Sequence, residues 1–346
     1  MIGVGVVGYG YAGRSFHTYL VPLAAGLELR AIVARDPDRR QKAEEERGVK
    51  TYATLDALLT DEAIQLVVLA TPHDTHADLA IQAMNRGRHV VTDKVMCMNA
   101  RETDAMTEAA ERNRVMLSVF HNRRWDWDYL TLRDVLHKEL IGAPYLFEAS
   151  VLRNRSPRGW RGSKEHGGGI LYDWGAHLLD QALQLVPGCV RGVECAIQHR
   201  SWGEEIGSYG RLLLKFDSGV LYQIEVGNLC TAPKPRWYVL GDTGAFIREQ
   251  LDPQERPMVA GNIDATDEPP EARAVLVTER EGQSVRMPYD TVRGSWKGYY
   301  QNIADHLNRG TALAVTPAQV RRQMAVFDAA MESARTGKTV RPDGER

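Results

Sequence analysis

M-I-G-V-G-V-V-G-Y-G-Y-A-G, Met1 to Gly13, opens the chain. Met1 to Val7 is an apolar run of buried-strand type, and glycines follow at once at Gly8, Gly10 and Gly13. A buried strand that runs through a glycine turn into a helix presents backbone N–H groups to a pyrophosphate. Gly8 permits the tight turn, Gly10 the close approach of a phosphate, and Gly13 the packing of helix on strand. Tyr11 and Ala12 complete the loop. Arg14 to Leu20 suits the helix, and Leu27 to Ala34 supplies the next strand at βαβ distance.

The alternation continues. Asp36-Pro37 reads as an N-cap and an N1 proline opening a charged helix to about Arg47. Ile64 to Ala70 is a continuous apolar strand, Asp78 to Arg86 a helix, His89 to Thr92 a strand, Ala100 to Asn113 a helix and Val115 to Phe120 a strand. Such a pattern predicts an α/β doubly wound parallel sheet with helices on both faces. After about Leu140 the pattern changes. Tyr145 to Arg153 reads as a strand, Asn154 to Gly169 as a Gly/Arg-rich loop and Tyr172 to Val186 as an amphipathic helix. Three hairpins follow, turning at Asp217-Ser218-Gly219, at Gly241-Asp242-Thr243-Gly244 and at Glu281-Gly282-Gln283. This predicts an α+β, mostly antiparallel second part. Asn262 to Glu271, acidic and proline-rich, is expected to be an exposed loop. Gly298 to Arg309 and Pro317 to Thr336 are the closing helices. The domains are placed at 1–122 and 123–346.

The 346 residues carry a formal net charge of −2, which argues against a nucleic-acid or anionic-membrane partner. No apolar stretch approaches the roughly 20 residues that span a bilayer. The start lacks a basic leader, so a cytoplasmic protein is expected. Cys97, Cys189, Cys195 and Cys230 are scattered, which suggests reduced, mostly buried thiols and no zinc site. His73 and His76 lie close in sequence, but no acid or thiol at ligand spacing completes a metal set.

Two further motifs carry chemistry. Thr92-Asp93-Lys94-Val95 falls at the carboxyl end of a parallel strand, where open α/β sheets bind ligands. A lysine there can donate to a substrate oxygen or orient a cofactor, although most lysines are simply solvated. The second motif is G-G-G-I-L-Y-D-W-G-A-H-L-L-D, Gly167 to Asp180. Asp173, His177 and Asp180 fall at i, i+4 and i+7, hence on one helical face. A carboxylate one turn from a histidine suits proton transfer near neutral pH. The same residues also suit an N-capping aspartate and a histidine hydrogen-bonded within the core. At the end of the second strand stands Arg35, where an acid would mark NAD(H), and Asp36 is better used as a cap; this favours NADP(H) over NAD(H).

These residues together resemble the glucose–fructose oxidoreductase / inositol dehydrogenase / MocA family over nearly the whole chain. The resemblance rests on Gly8 to Gly13, T-P-H-D-T-H (Thr71 to His76), the lysine motif, H-N-R-R-W (His121 to Trp125) and the triple-glycine helix. G-Y-G-Y-A-G-R-S-F-H and F-H-N-R-R-W-D look like the branch of NADP-dependent scyllo-inositol dehydrogenases. The resemblance implies an N-terminal Rossmann domain and a C-terminal α/β domain whose large open sheet makes homodimers or homotetramers. It implies cofactor contacts at Gly8, Gly10, Tyr11, Ala12, Gly13, Arg35, Thr71, Pro72, His76 and Lys94. It also implies a Lys94, Asp173, His177 trio acting on a secondary alcohol of a small polyhydroxylated substrate. His177 would take the hydroxyl proton, Lys94 would hydrogen-bond the same oxygen, and Asp173 would orient the group. Arg123, Trp125, Arg155, Trp160 and His166 are further substrate-side candidates, with Asn154, Arg158, Arg161 and Trp237 beside them. The family places its lysine in Glu-Lys-Pro. Here Val95 replaces the proline, and a cis bond before a non-proline residue costs about 2.5–4 kcal/mol, so a trans or strained bond is expected. Two other readings are a glycoside-cleaving enzyme that oxidises its sugar transiently and a ligand-sensing regulator on the same fold.

Overall fold

The computed structural model describes residues 1–203 and 205–345. They form two compact units, one of residues 1–122, 255–265 and 295–321, the other of residues 123–254, 266–294 and 322–345.

The first unit is built on a six-stranded sheet in the order β3-β2-β1-β4-β5-β6, parallel throughout. The strands are β1 (Ile2–Val7), β2 (Leu27–Val33), β3 (Lys50–Tyr52), β4 (Leu66–Leu69), β5 (His89–Thr92) and β6 (Leu117–Val119). Val4, Val6, Leu66, Val67, Val68 and Leu69 are fully buried, as a strand covered on both faces requires. The helices are α1 (Thr18–Leu20, preceded by a π-helical turn Gly13–His17), α2 (Pro37–Arg47), α3 (Leu55–Leu59), α4 (His76–Asn85) and α5 (Ala100–Asn113). Asp36 caps α2 by accepting from Asp38 N, and Gly48 ends it in a left-handed conformation. Asn99 caps α5 by accepting from Glu102 N, while Glu102 accepts in return from Met98 N at 2.8 Å. The strand order reverses between β1 and β4, so their carboxyl ends flank the crevice where such sheets take ligands.

The second unit is an eight-stranded sheet in the order β14-β13-β12-β11-β7-β10-β9-β8, antiparallel except where β10 pairs with β7. Its strands are β7 (Pro144–Leu152), β8 (Val190–Gln198), β9 (Tyr209–Phe216), β10 (Leu221–Gly227), β11 (Trp237–Gly241), β12 (Gly244–Arg248), β13 (Ala274–Arg280) and β14 (Gln283–Tyr289). Helices α6 (Trp127–His137) and α7 (Ala176–Leu185) pack on one face. Phe147, Ala149, Leu214, Tyr222, Ile224, Trp237, Val239 and Phe246 point to the covered face and are buried. Many of the alternate positions are apolar too, interspersed with charged residues such as Glu148 and Lys215. Leu146, Leu213, Tyr238, Leu240, Ile247, Val275 and Val277 are half-buried, and Leu221 is exposed.

Some expectations need correction. Asn262 to Glu271 is mostly exposed as expected, but it is tied down where Ile263 N donates to Tyr19 Oη and where Glu268 accepts from Arg248 and Thr291. Of the four cysteines only Cys97 is buried, and all four are free thiols. Among the described residues no helix is long and apolar enough to cross a membrane, and no group of three or more His, Cys, Asp or Glu side chains is placed to hold a metal.

Candidate active site

The glycine loop has the shape its residues dictate. Gly8 lies at φ +102°, and a Cβ there would sit 2.5 Å from the Ala70 carbonyl oxygen. A Cβ at Gly13 would sit 1.9 Å from the Gly8 oxygen, so the helix lies against the strand end as a side chain would forbid. At Gly10 a Cβ would meet nothing within 4 Å, and this is the open side. The first α-type bond of the helix runs from Arg14 N to Gly10 O at 2.9 Å. The amides of Tyr11, Ala12 and Gly13 precede that bond, in the first turn of the helix, where backbone N–H groups face an anion. These residues fit a dinucleotide pyrophosphate. After β2, Arg40 ties the loop by donating to Ala34 O at 2.7 Å and Arg35 O at 2.8 Å. Arg35 itself is exposed, and its guanidinium has no partner among the described residues.

The loops after β4 and β5 are held by His76. It has no solvent exposure and sets Nδ1 2.9 Å from Val95 O and Nε2 3.0 Å from Thr71 O. A carbonyl only accepts, so a neutral ring satisfies one loop at a time. Burial pulls its pKa below the ordinary histidine value, against the pull of Asp93. Pro72 starts a short turn, and Thr75 Oγ1 donates to Pro72 O and accepts from Thr71 Oγ1, at 2.7 Å each. Lys94 is only 8% exposed, its N–H donates to Asp93 Oδ1 at 2.8 Å, and the Lys94–Val95 bond is cis. Burial opposes the charge on Asp93, yet His17, Lys94 and His76 hold its carboxyl well below the usual range.

In the second unit, Gly167 to Gly169 bring backbone against backbone. A Cβ on Gly168 would lie 2.5 Å from the oxygens of Arg161 and Ser163, and one on Gly169 would lie 2.6 Å from Ile206 O. The helix that follows opens as a π-helical turn, Leu171–Gly175, before becoming α7. The regular i, i+4 spacing of Asp173 and His177 is thus broken by a wider turn. Among the described residues the only two π-helical stretches are this one and that after the glycine loop, and such turns recur at functional sites. Asp173 Oδ1 lies 3.8 Å from Arg161 Nε, with its side chain 30% exposed. His177 is 7% exposed, and its ring meets Trp174 edge-on at 5.7 Å. The Arg123 and Arg153 guanidiniums stand 4.3 and 4.2 Å from the Trp174 ring. Both cations are within reach of the electron-rich face of the indole.

Asp180 departs from the expected proton-transfer face. It takes a bidentate pair from Arg124, Nε to Oδ2 at 2.8 Å and Nη2 to Oδ1 at 2.6 Å, and so anchors α7. Gln181 extends the anchorage, donating to Arg123 O at 2.9 Å and accepting from Arg236 Nη2 at 2.5 Å, while Arg236 Nε lies 2.9 Å from Asp128 Oδ2. Trp237 is fully buried on the covered face beside Tyr222 and is a core residue. Trp125, Trp160 and His166 are half-buried, Trp160 stacking with Arg161 at 4.7 Å, and Asn154, Arg155 and Arg158 are exposed. Sequence reasoning missed His17, Arg124 and Arg40. The first two stand in F-H and N-R-R-W, motifs already quoted, but nothing in a motif says which arginine meets which acid.

Residues 2–121 match the oxidoreductase family with an NAD-binding Rossmann fold, and residues 129–247 match the GFO/IDH/MocA C-terminal domain. The chain is 30% identical to a Bacillus subtilis scyllo-inositol 2-dehydrogenase (NADP+), over 98% of this chain and 95% of that one. It is 34% identical to the uncharacterized oxidoreductase YdgJ of Escherichia coli, over 98% of both. Among solved structures, Bacillus subtilis yvaA superposes with a TM-score of 0.92 at 29% identity, covering 99% of this chain and 98% of that one.

Proposed function

We propose, for a chain that belongs to the GFO/IDH/MocA family of oxidoreductases with an NAD-binding Rossmann fold, a reversible oxidation of a secondary alcohol on a polyol, cyclitol or sugar, with NADP(H) preferred over NAD(H). The observation that carries this reading is Lys94, largely buried at the carboxyl end of β5 on a unit whose glycine loop fits a pyrophosphate. When bound, the nicotinamide supplies the hydride chemistry. The amides of Tyr11, Ala12 and Gly13 bind the pyrophosphate, and Thr71, Pro72 and His76 shape the loop beside it. Arg35 meets the 2′-phosphate, since Asp36, the nearby acid, is spent on capping α2.

Lys94 donates a hydrogen bond to the alcohol oxygen and stabilises the negative charge that grows there. His177 accepts the hydroxyl proton, and Asp173 orients a neighbouring hydroxyl. Arg123, Trp125, Arg155, Trp160 and His166 meet the other hydroxyls of a small polyhydroxylated substrate. The apolar outer face of the eight-stranded sheet associates with a second copy. The test is a panel of polyols, cyclitols and sugars with NADP and NAD, read by the absorbance of reduced nicotinamide. His177→Ala lowers turnover about 100-fold or more. Near-normal turnover in that variant removes His177 from the mechanism.

A further inference from the structure

Behind Lys94 runs a buried polar chain that the proposed chemistry leaves without a role. His17 closes the π-helical turn after the glycine loop and has no solvent exposure. Its Nδ1 is 2.6 Å from the hydroxyl of Tyr300, on the helix Lys297–Arg309. Its Nε2 has no hydrogen-bond partner among the described residues and stands 3.7 Å from Asp93 Oδ2. The other oxygen of Asp93 accepts from the Lys94 N–H at 2.8 Å. Phe120 packs on the imidazole at 4.6 Å and on the Tyr300 ring at 5.6 Å, covering the His17–Tyr300 end of the chain.

Chemistry orders the protons. A carboxylate only accepts, so a bare Nε2 facing Asp93 would be repelled, and Nε2 carries the proton. In the neutral ring Nδ1 then accepts from Tyr300. Burial pushes the phenol of Tyr300 well above its ordinary pKa, which keeps it a neutral donor. The titratable groups facing Asp93 are His17 from the first helix, His76 from α4 and Lys94 from its own loop.

We propose that His17 is a positioning residue for Lys94. Held by Tyr300, it keeps Asp93 ionised and turned to the Lys94 backbone, so the lysine is placed from behind. This rests on the reading of Lys94 as the group that meets the reacting oxygen, yet the contact is measurable without turnover.

The experiment is carboxyl NMR of full-length protein labelled at aspartate, without nucleotide, titrated from neutral to acid pH. Asp93→Asn assigns the signal. Wild-type Asp93 stays ionised through the range in which ordinary aspartates titrate. In His17→Leu its midpoint rises by more than about one pH unit, because burial is then less opposed. In His17→Gln, whose amide replaces the Nε2–H, it stays near wild type. Tyr300→Phe moves it the same way by less and carries the test where His17→Leu fails to fold. The kinetic arm uses NADP and a polyol that wild type oxidises. His17→Leu lowers kcat about tenfold or more at a KM within about twofold, and His17→Gln restores it. Midpoints equal in wild type, His17→Leu and Tyr300→Phe overturn the contact. A shifted midpoint with unchanged kcat overturns the positioning role. Absence of turnover in wild type overturns the functional reading and the role built on it, while the midpoints still report the contact.

Discussion

Asp180→Asn removes one charge and keeps the shape of the side chain, and its cost can be worked from the Arg124–Asp180 pair. The two side chains are 9% and 6% exposed and meet through bonds of 2.8 and 2.6 Å. Solvent screens such a pair little. Taking the carboxylate away leaves a buried guanidinium short of the charge that balances it, a change worth about 3–5 kcal/mol. For a unit of this size that lowers Tm by about 6–20 °C. The assay is chemical and thermal unfolding of wild type, Asp180→Asn, Arg124→Met and the double variant Arg124→Met/Asp180→Leu. Each single variant falls by the full amount. The double variant recovers to within about 1 kcal/mol of wild type, since an apolar pair of similar volume replaces a buried ion pair at little cost. Asp180→Asn within about 1 kcal/mol of wild type refutes the reasoning, because the pair would then not be the anchor of α7.

Three more outcomes follow from the geometry. Asp252 accepts from the amides of Trp127 and Gln254, and burial, helped by the neighbouring Asp128 charge, pushes its pKa up to about 6. Its folded pKa is raised, so its contribution is full below about pH 4 and is lost as pH rises through 6, about 3 kcal/mol in all; the stability of Asp252→Asn relative to wild type, measured by urea unfolding, therefore improves by about 2 kcal/mol between pH 4.5 and 7.5, and a pH-independent difference contradicts it. Arg35→Ala raises the KM for NADP about tenfold or more while leaving that for NAD nearly unchanged, and equal effects on both remove Arg35 from cofactor choice. Leu221→Glu, on the half-exposed apolar face of the eight-stranded sheet, turns a sedimenting dimer or tetramer into monomer, and a wild type that sediments as monomer contradicts that interface.

The Rossmann half was legible because its signals are local. Gly8 and Gly13 are required by contacts with Ala70 and with Gly8 itself, and Asp36 and Gly48 bracket α2 as cap chemistry predicts. The hairpins at Asp217-Ser218-Gly219 and Glu281-Gly282 were legible for the same reason. Strand β8 and helix α6 were not. Val190–Gln198 pairs with β9, and Val193 also bridges Val340 near the other end of the chain, while its own residues V-R-G-V-E-C-A-I-Q carry a weak alternation. The helix α6 starts directly after F-H-N-R-R-W-D, whose last residue, Asp126, is its N-cap. At the site, the positions of Lys94, Asp173 and His177 could be read, but the π-helical turn could not, because it depends on how Gly167 to Gly169 pack. Asp180 shared the spacing of a proton-transfer face and was claimed by Arg124, 56 residues away, which no periodicity reveals.

The central claim is hydride transfer from a carbinol carbon to NADP. The direct measurement supplies a polyol carrying deuterium at its secondary carbons, with NADP and the wild-type protein, and follows the label by mass spectrometry. Deuterium accumulating in the reduced nucleotide, one per ketone formed, and lost with His177→Ala, is the predicted result. A product that regains its label with no net reduction of NADP, or no transfer from any polyol, contradicts the account.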